Sequence, residues 1–222
     1  NSTLLFKTRD NTFNIKNNNS YNLRNQFFLM NYKLVNRQTY DANAEEFEKR
    51  TEEIFPHIIK GAEFFLSLLP GKDILDLGSG PGRISLFFKE RGFTPLCFDI
   101  SNEMIKLCRQ KGLEAMVGDL EDMPFPEESF EGVWAYTSLL HIPKNKLTPV
   151  LTKINQILKP NGIFYCSMKE GNFEGWIESD KYKGKRFFAF YRDEELRNLL
   201  EQNFEIANSS RASSGDAVFL KY

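Results

Sequence analysis

The sequence predicts an α/β fold, a doubly wound and mostly parallel sheet with helices on both faces. Three observations carry this. Short apolar, strand-like runs alternate five times with helix-like stripes between residues 73 and 168. Several of those runs end in an acid, at Asp76, Asp99 and Asp119, and open α/β sheets bind ligands at the carboxyl ends of their strands. Two further apolar runs near the end of the chain, Phe204–Ala207 and Ala217–Leu220, fit a closing antiparallel hairpin and bring the sheet to seven strands.

Residues 1–39 differ in composition from the rest of the chain. Asparagine is dense, with Asn17, Asn18 and Asn19 in a row, and a few apolar residues recur at Phe27, Phe28, Leu29 and Met30. This composition reads as a polar extension on a domain spanning 40–222. Asp41 or Asn43 then caps a helix with Phe47, Arg50 and Ile54 near one face, and Pro56 breaks or restarts it. Ile58, Ile59, Ala62, Phe65, Leu66 and Leu69 form a second stripe, closed by Pro70-Gly71.

Ile74, Leu75 and Leu77 make the first buried strand, followed by the turn Gly78-Ser79-Gly80-Pro81-Gly82 and a helix that ends at Gly92. A dinucleotide loop reads G-x-G-x-x-G, but Arg83 stands where its third glycine belongs. No Gly-Lys-Ser/Thr comes after it, which excludes a P-loop. Asp76 at the strand end would repel a pyrophosphate and suits a ligand that presents an ammonium or a sulfonium. The second strand, Leu96-Cys97-Phe98, ends at Asp99, 19 positions beyond Gly80, about the spacing that sets a carboxylate on ribose hydroxyls. Ser101 can cap the next helix, and Ile100 and Met104 are placed to flank an adenine. A third strand ends at Gly118-Asp119-Leu120, and a fourth, Glu131–Tyr136, leads into Thr137–Pro143 with His141. A helix over Leu147–Leu158 stops at a Pro160–Gly162 turn before the fifth strand, Ile163–Met168. Residues 169–192 form a long connection from that strand's carboxyl end, and Asp193 caps a last helix before a Ser-rich turn at 209–215.

At Ile74-Leu75-Asp76-Leu77-Gly78-Ser79-Gly80-Pro81-Gly82 the chain resembles the class I S-adenosylmethionine (SAM) dependent methyltransferases. Gly118-Asp119, the two prolines before Ser129-Phe130-Glu131, and Leu158-Lys159-Pro160-Asn161-Gly162 extend the resemblance, with Glu131 where the family carries Asp. It covers about residues 40–222 and implies a Rossmann-like sheet with SAM as cofactor and S-adenosylhomocysteine (SAH) as product. Gly78, Ser79 and Gly80 would hold the methionine portion, with Asp76 near its ammonium and Asp99 on the ribose. Asp119 and the Leu120 N–H would meet the adenine, and Tyr136 belongs to the same site. Tyr40 and Phe47 become lid residues, with Tyr40 facing the substrate. His141 is the candidate general base, against a structural histidine bonded to a backbone carbonyl. Glu170, Trp176, Arg186 and Tyr191 are the candidate substrate wall.

Composition narrows the function classes. With 29 basic and 30 acidic residues the net charge is −1, so no global field favours nucleic acid. Three scattered cysteines make no disulfide framework, and no Cys/His spacing suggests a metal. No apolar run reaches membrane-spanning length and no signal peptide pattern opens the chain, so a cytoplasmic setting is expected. The Asn/Asp-Pro-Pro-Tyr and Pro-Cys motifs of nucleic-acid base methylation are absent. The expected activity is methyl transfer to an oxygen or nitrogen of a small molecule. The alternative is a SAM-binding regulator without transfer activity, and an NAD oxidoreductase is disfavoured by Arg83. Monomer and homodimer both stay open.

Overall fold

The computed structural model describes residues 32–214 and 217–222, together with the backbone of two short strands that pair antiparallel, β1 (Phe6–Thr8) and β2 (Asn11–Phe13). Phe27, Phe28, Leu29 and Met30 lie outside the described residues. Helix α1 (Tyr32–Ala42) runs across the 39/40 division suggested by composition. It does so because Tyr32, Asn36 and Thr39, spaced three and four apart, share one buried face. Helix α2 (Ala44–Leu68) comes next and passes unbroken through Pro56, contrary to the expected break. Proline removes one N–H from the ladder. The stripe Ile58, Ala62 and Phe65 buries the following turns against the sheet and keeps the two halves in one helix.

The main chain then alternates as expected: β3 (Asp73–Leu77), α3 (Arg83–Glu90), β4 (Thr94–Asp99), α4 (Asn102–Gln110), β5 (Glu114–Val117), β6 (Phe130–Tyr136), α5 (Lys144–Ile157) and β7 (Leu158–Lys169). A hairpin of β8 (Glu174–Ser179) and β9 (Tyr182–Ala189) occupies most of the long connection. Helix α6 (Asp193–Leu200), β10 (Ser210–Ser214) and β11 (Ala217–Lys221) close the chain. The seven-stranded sheet has the order β10-β11-β7-β6-β3-β4-β5, with β3 through β7 mutually parallel and β11 antiparallel to both neighbours. The order reverses between β3 and β6, so the crevice at the carboxyl end of β3 is the natural ligand site.

Strand alternation divides the core between the two faces. Leu75, Leu77, Val133 and Ala135 pack with Leu147, Val150, Leu151 and Ile154 of α5. Ile74, Trp134 and Tyr165 face α2 and α3 on the other side, where Trp134 stacks on Tyr165 at 3.8 Å. Glu131 accepts from the Asp73 N–H and from Lys159 Nζ, at 2.9 and 2.6 Å, and ties the amino ends of three strands. The Lys159 ammonium beside it lowers the Glu131 carboxyl below its ordinary value. Cys97, Cys108 and Cys166 are all buried free thiols.

Two boundaries move. The expected Pro160–Gly162 turn becomes an irregular start to β7, where Phe130 pairs with Leu158 but Gly132 pairs with Ile163. The strand expected at Phe204–Ala207 lies instead at Ser210–Ser214, inside the expected Ser-rich turn. Phe204 is held back because its N–H donates to Leu200 O and its ring packs on Phe164 at 4.9 Å.

Candidate active site

A cavity of about 700 Å³ opens at the carboxyl ends of β3, β4 and β6, beneath α1 and the first half of α2. That volume is in the range of small-molecule sites. Its floor is the loop after β3. Gly78 has φ +76° and its N–H donates to Phe98 O at 2.7 Å. A Cβ there would stand 2.3 Å from the Ser138 Cβ, so Gly78 lets the loop after β6 close against the floor. Gly80, at φ +54°, has nothing within 4 Å of where its Cβ would point. The backbone at Gly80 is thus bare to an incoming ligand.

All ten residues expected at the cofactor line this cavity: Asp76, Gly78, Ser79, Gly80, Asp99, Ile100, Met104, Asp119, Leu120 and Tyr136. Asp99 Oδ2 accepts from the Gly80 N–H and its Oδ1 from the Ser101 N–H, both at 2.9 Å. Burial raises the Asp99 carboxyl above its ordinary value despite the opposing pull of those amides. Ser101 caps α4 as expected, accepting from the Met104 N–H. Asp41 of α1 reinforces that cap, accepting from Ser101 Oγ at 2.6 Å and from the Glu103 N–H at 3.2 Å. Asp119 accepts from the Glu121 N–H through Oδ1 and from Lys33 Nζ of α1 through Oδ2. The sequence reading missed Lys33, because it lies beyond the boundary drawn at residue 39.

Asp76 is buried and accepts from Ser85 Oγ at 2.6 Å. Burial pushes its carboxyl from 3.8 up to about 7; the Ser85 bond opposes this and the nearby Asp99 charge adds to it. The folded state therefore holds this proton more tightly than the unfolded chain. The resulting stability is complete below the unfolded value and is lost as pH rises through about 7. Thermal melts of the unliganded protein are expected to show stability falling from about pH 4 to pH 7 relative to Asp76→Asn. Parallel curves for the two proteins would contradict the buried proton.

The opposite wall carries Tyr40, His141 and Arg186. His141 Nδ1 lies 2.7 Å from Phe187 O, which can only accept, so Nδ1 carries the proton. Nε2 is then the acceptor for the Tyr40 hydroxyl at 2.6 Å. Burial lowers the His141 imidazole to about 3, against the Phe187 carbonyl and with help from the Arg186 charge. Tyr40 is raised by burial, which outweighs the pull of Arg186. Arg186 Nη1 reaches the Tyr40 hydroxyl at 3.5 Å. Phe47, the second expected lid residue, lines the cavity and stacks on Tyr182 at 4.2 Å.

The expected substrate wall is corrected at three of its four residues. Tyr40 and Arg186 line the cavity, whereas Glu170, Trp176 and Tyr191 do not. In the β8–β9 hairpin successive side chains alternate, so Tyr182, Arg186 and Phe188 face the cavity while Phe187 and Ala189 enter the core. Trp176 pairs with Phe187 across the hairpin and packs edge-on against its ring. Tyr191 is fully buried, and Glu170 is held by Arg211 at 3.0 and 3.1 Å. The cavity also takes in Ser138, Lys169, Phe219 and Lys221, none of them singled out from sequence. Phe219 and Lys221 share one face of β11 with Lys169 of β7 through the two-residue strand period, and Ser138 comes from the loop after β6. No cluster of three or more His, Cys, Asp or Glu suited to a metal occurs among the described residues. No helix among them is long and apolar enough to cross a membrane.

A family model described as a methyltransferase domain matches residues 74–162, which hold β3 through the start of β7. The chain is 33% identical over 135 residues to the tRNA (carboxymethyluridine(34)-5-O)-methyltransferase of Arabidopsis thaliana, covering 59% of this chain and 31% of that one. It is 33% identical over 106 residues to a sterol 24-C-methyltransferase of Gibberella zeae, covering 48% of this chain and 24% of that one. The chain thus spans less than a third of the length of these curated relatives. The fold matches that of the DhpI–SAM–HEP complex with a TM-score of 0.66 at 18% identity, covering 87% of this chain and 97% of that one. The sheet order, the glycine loop at its switch point and these matches support a class I SAM-dependent methyltransferase.

Proposed function

We propose that the chain is an enzyme that moves the methyl group of SAM to an oxygen or nitrogen atom of a small-molecule acceptor, leaving SAH. The observation that carries this is one continuous cavity, running from the acids and bare backbone of the Gly78–Gly80 loop to Tyr40, His141 and Arg186. The acidic end suits the cofactor: Asp76 near its ammonium, Asp99 on its ribose, and Asp119 with the Leu120 N–H at its adenine. Ile100 and Met104 flank the base, and Tyr136 lies beside Trp134 under the transfer centre. When bound, SAM supplies a methyl group already activated on a sulfonium, so alignment is the main task left to the protein.

Tyr40 carries the acceptor side of this reading. Its hydroxyl donates to His141 Nε2 and accepts from Arg186 Nη1, which holds the guanidinium on the acceptor side. His141 orients Tyr40; its buried, electropositive setting disfavours the imidazolium that a general base would become. The tRNA and sterol acceptors named for the relatives differ too much to carry over. A net charge of −1 favours a small molecule over nucleic acid. The free buried thiols agree with a cytoplasmic setting.

One observation favours a second reading, a SAM-binding protein without transfer activity: both His141 nitrogens are engaged within the protein. Transfer assays with methyl-labelled SAM and a small-molecule panel, run beside calorimetric SAH titration, separate the two. SAM and SAH are expected to raise the melting temperature and NAD is not. Label transfer is expected to fall about 100-fold in Tyr40→Phe, through lost alignment of the acceptor, with SAH affinity retained. Stabilisation by NAD alone would sink the family-based reading, and SAH binding with no transfer to any acceptor would favour the silent one.

A further inference from the structure

Charge is distributed unevenly around the cavity. Its acids, Asp76, Asp99 and Asp119, all sit at or just beyond the ends of β3, β4 and β5. Each already has a protein partner: Ser85, the Gly80 and Ser101 amides, and Lys33 with the Glu121 amide. The other end is cationic. Arg186, Lys169 and Lys221 line it, and among the described residues none of them forms an ion pair with an acid; Arg50 and Arg83, which also line the cavity, form none either.

Arg186 and Lys169 are set in one aromatic wall. The Arg186 guanidinium carbon lies 4.8 to 5.6 Å from the ring centres of Tyr40, Phe47, Tyr182 and Phe188. Phe188 in turn packs on Phe190 at 5.8 Å, and the Lys169 ammonium lies 4.6 Å over Phe190. Lys169 pairs across strands with Phe219, so Lys221, two residues on, shares its sheet face. Burial lowers the Lys221 ammonium below its ordinary value, which marks it as partly stripped of water. A ring cage that would otherwise attract a cationic amine is filled by Arg186 itself. Partly buried cations without acids are costly unless a ligand supplies the counter-charge. His141, the histidine beside Arg186, is bonded through both nitrogens and is therefore not a free base there.

We propose that the methyl acceptor is an oxyanion, a carboxylate or a phosphate, held by Arg186 with Lys169 and Lys221. This rests on the SAM-dependent reading and narrows it. The attacking atom arrives already ionised, so no proton has to be removed. A lone pair of the oxyanion forms the new C–O bond, the S–CH₃ bond breaks, and its electron pair stays on sulfur. One negative charge on the acceptor and the positive charge of the sulfonium vanish together. The esterified product has lost a charge, and with it part of the attraction to Arg186, which favours its release.

Calorimetric titration with benzoate, phenyl phosphate, phenol and benzylamine tests this, each with and without SAH. At least one anion is expected to bind about tenfold or more tightly than phenol and benzylamine, the scale of one charged hydrogen bond. Arg186→Gln is expected to abolish that preference and Arg186→Lys to keep part of it. Anions that bind no better than phenol and benzylamine overturn the proposal, and this includes no binding by any of the four. So does a preference that survives Arg186→Gln combined with Lys169→Gln. Should Arg186→Gln fail to fold, Arg186→Lys and Lys169→Gln decide: an anion preference undiminished in both overturns the proposal. Labelled SAM separates the sources, since a carboxyl methyl ester releases its label as methanol in mild alkali and a phosphate ester retains it. Failure of SAH to bind would sink the cofactor reading instead, independently of the anion result.

Discussion

Replacing Asp99 by alanine is expected to weaken SAH binding by about 1–3 kcal/mol, roughly 5- to 150-fold. Two losses combine. The carboxylate accepts from the Gly80 and Ser101 amides, so it fixes the glycine loop and the start of α4 relative to each other. The remaining lone pairs of the same oxygens are the expected partners of the ribose hydroxyls. Asp99→Asn should be milder for the loop than for the ligand, because its amide keeps one acceptor oxygen. Calorimetry with SAH measures both variants, and unchanged affinity in Asp99→Ala would remove Asp99 from the site.

The second large effect falls on Gly78. A side chain there must adopt φ +76°, at a cost of about 1–2 kcal/mol for a residue other than glycine. Its Cβ would also stand 2.3 Å from the Ser138 Cβ, and overpacking of that kind costs about 1–3 kcal/mol. Gly78→Ala is therefore expected to lower stability by about 2–5 kcal/mol in denaturant unfolding. Gly80→Ala makes a useful contrast, since its Cβ meets nothing and only the backbone term applies. It should lose less stability than Gly78→Ala. A smaller loss for Gly78→Ala would mean that the loop after β6 yields to the added methyl.

The sheet and the cofactor end were legible because their signals are local. An apolar run, an acid and a glycine turn are adjacent in sequence, and topology then brings Asp76, Asp99 and Asp119 to one edge. The acceptor wall was harder to read because its residues gather from distant elements. Arg186 and Tyr40 are 146 positions apart, yet they share a hydrogen bond. Glu170, Trp176 and Tyr191 were chosen for residue type in a stretch read as an irregular connection. The hairpin period, not residue type, decides which side chains there reach the cavity. Lys33 and Asn36 were missed because the Asn-rich composition masked a helix whose buried face is made of only a few residues.

The β9 strand has a consequence for how such a chain can change. Its even positions, 182, 186 and 188, touch the cavity, while Phe187 and Ala189 anchor the strand in the core. Selectivity and foldability are therefore written on alternate residues of one strand. Substitutions at 186 or 188 can retune what the wall accepts while the neighbouring anchors hold the backbone in place. An evolving lineage could drift in acceptor without first losing its architecture, and a directed library confined to those positions would sample new acceptors at little cost in folded protein.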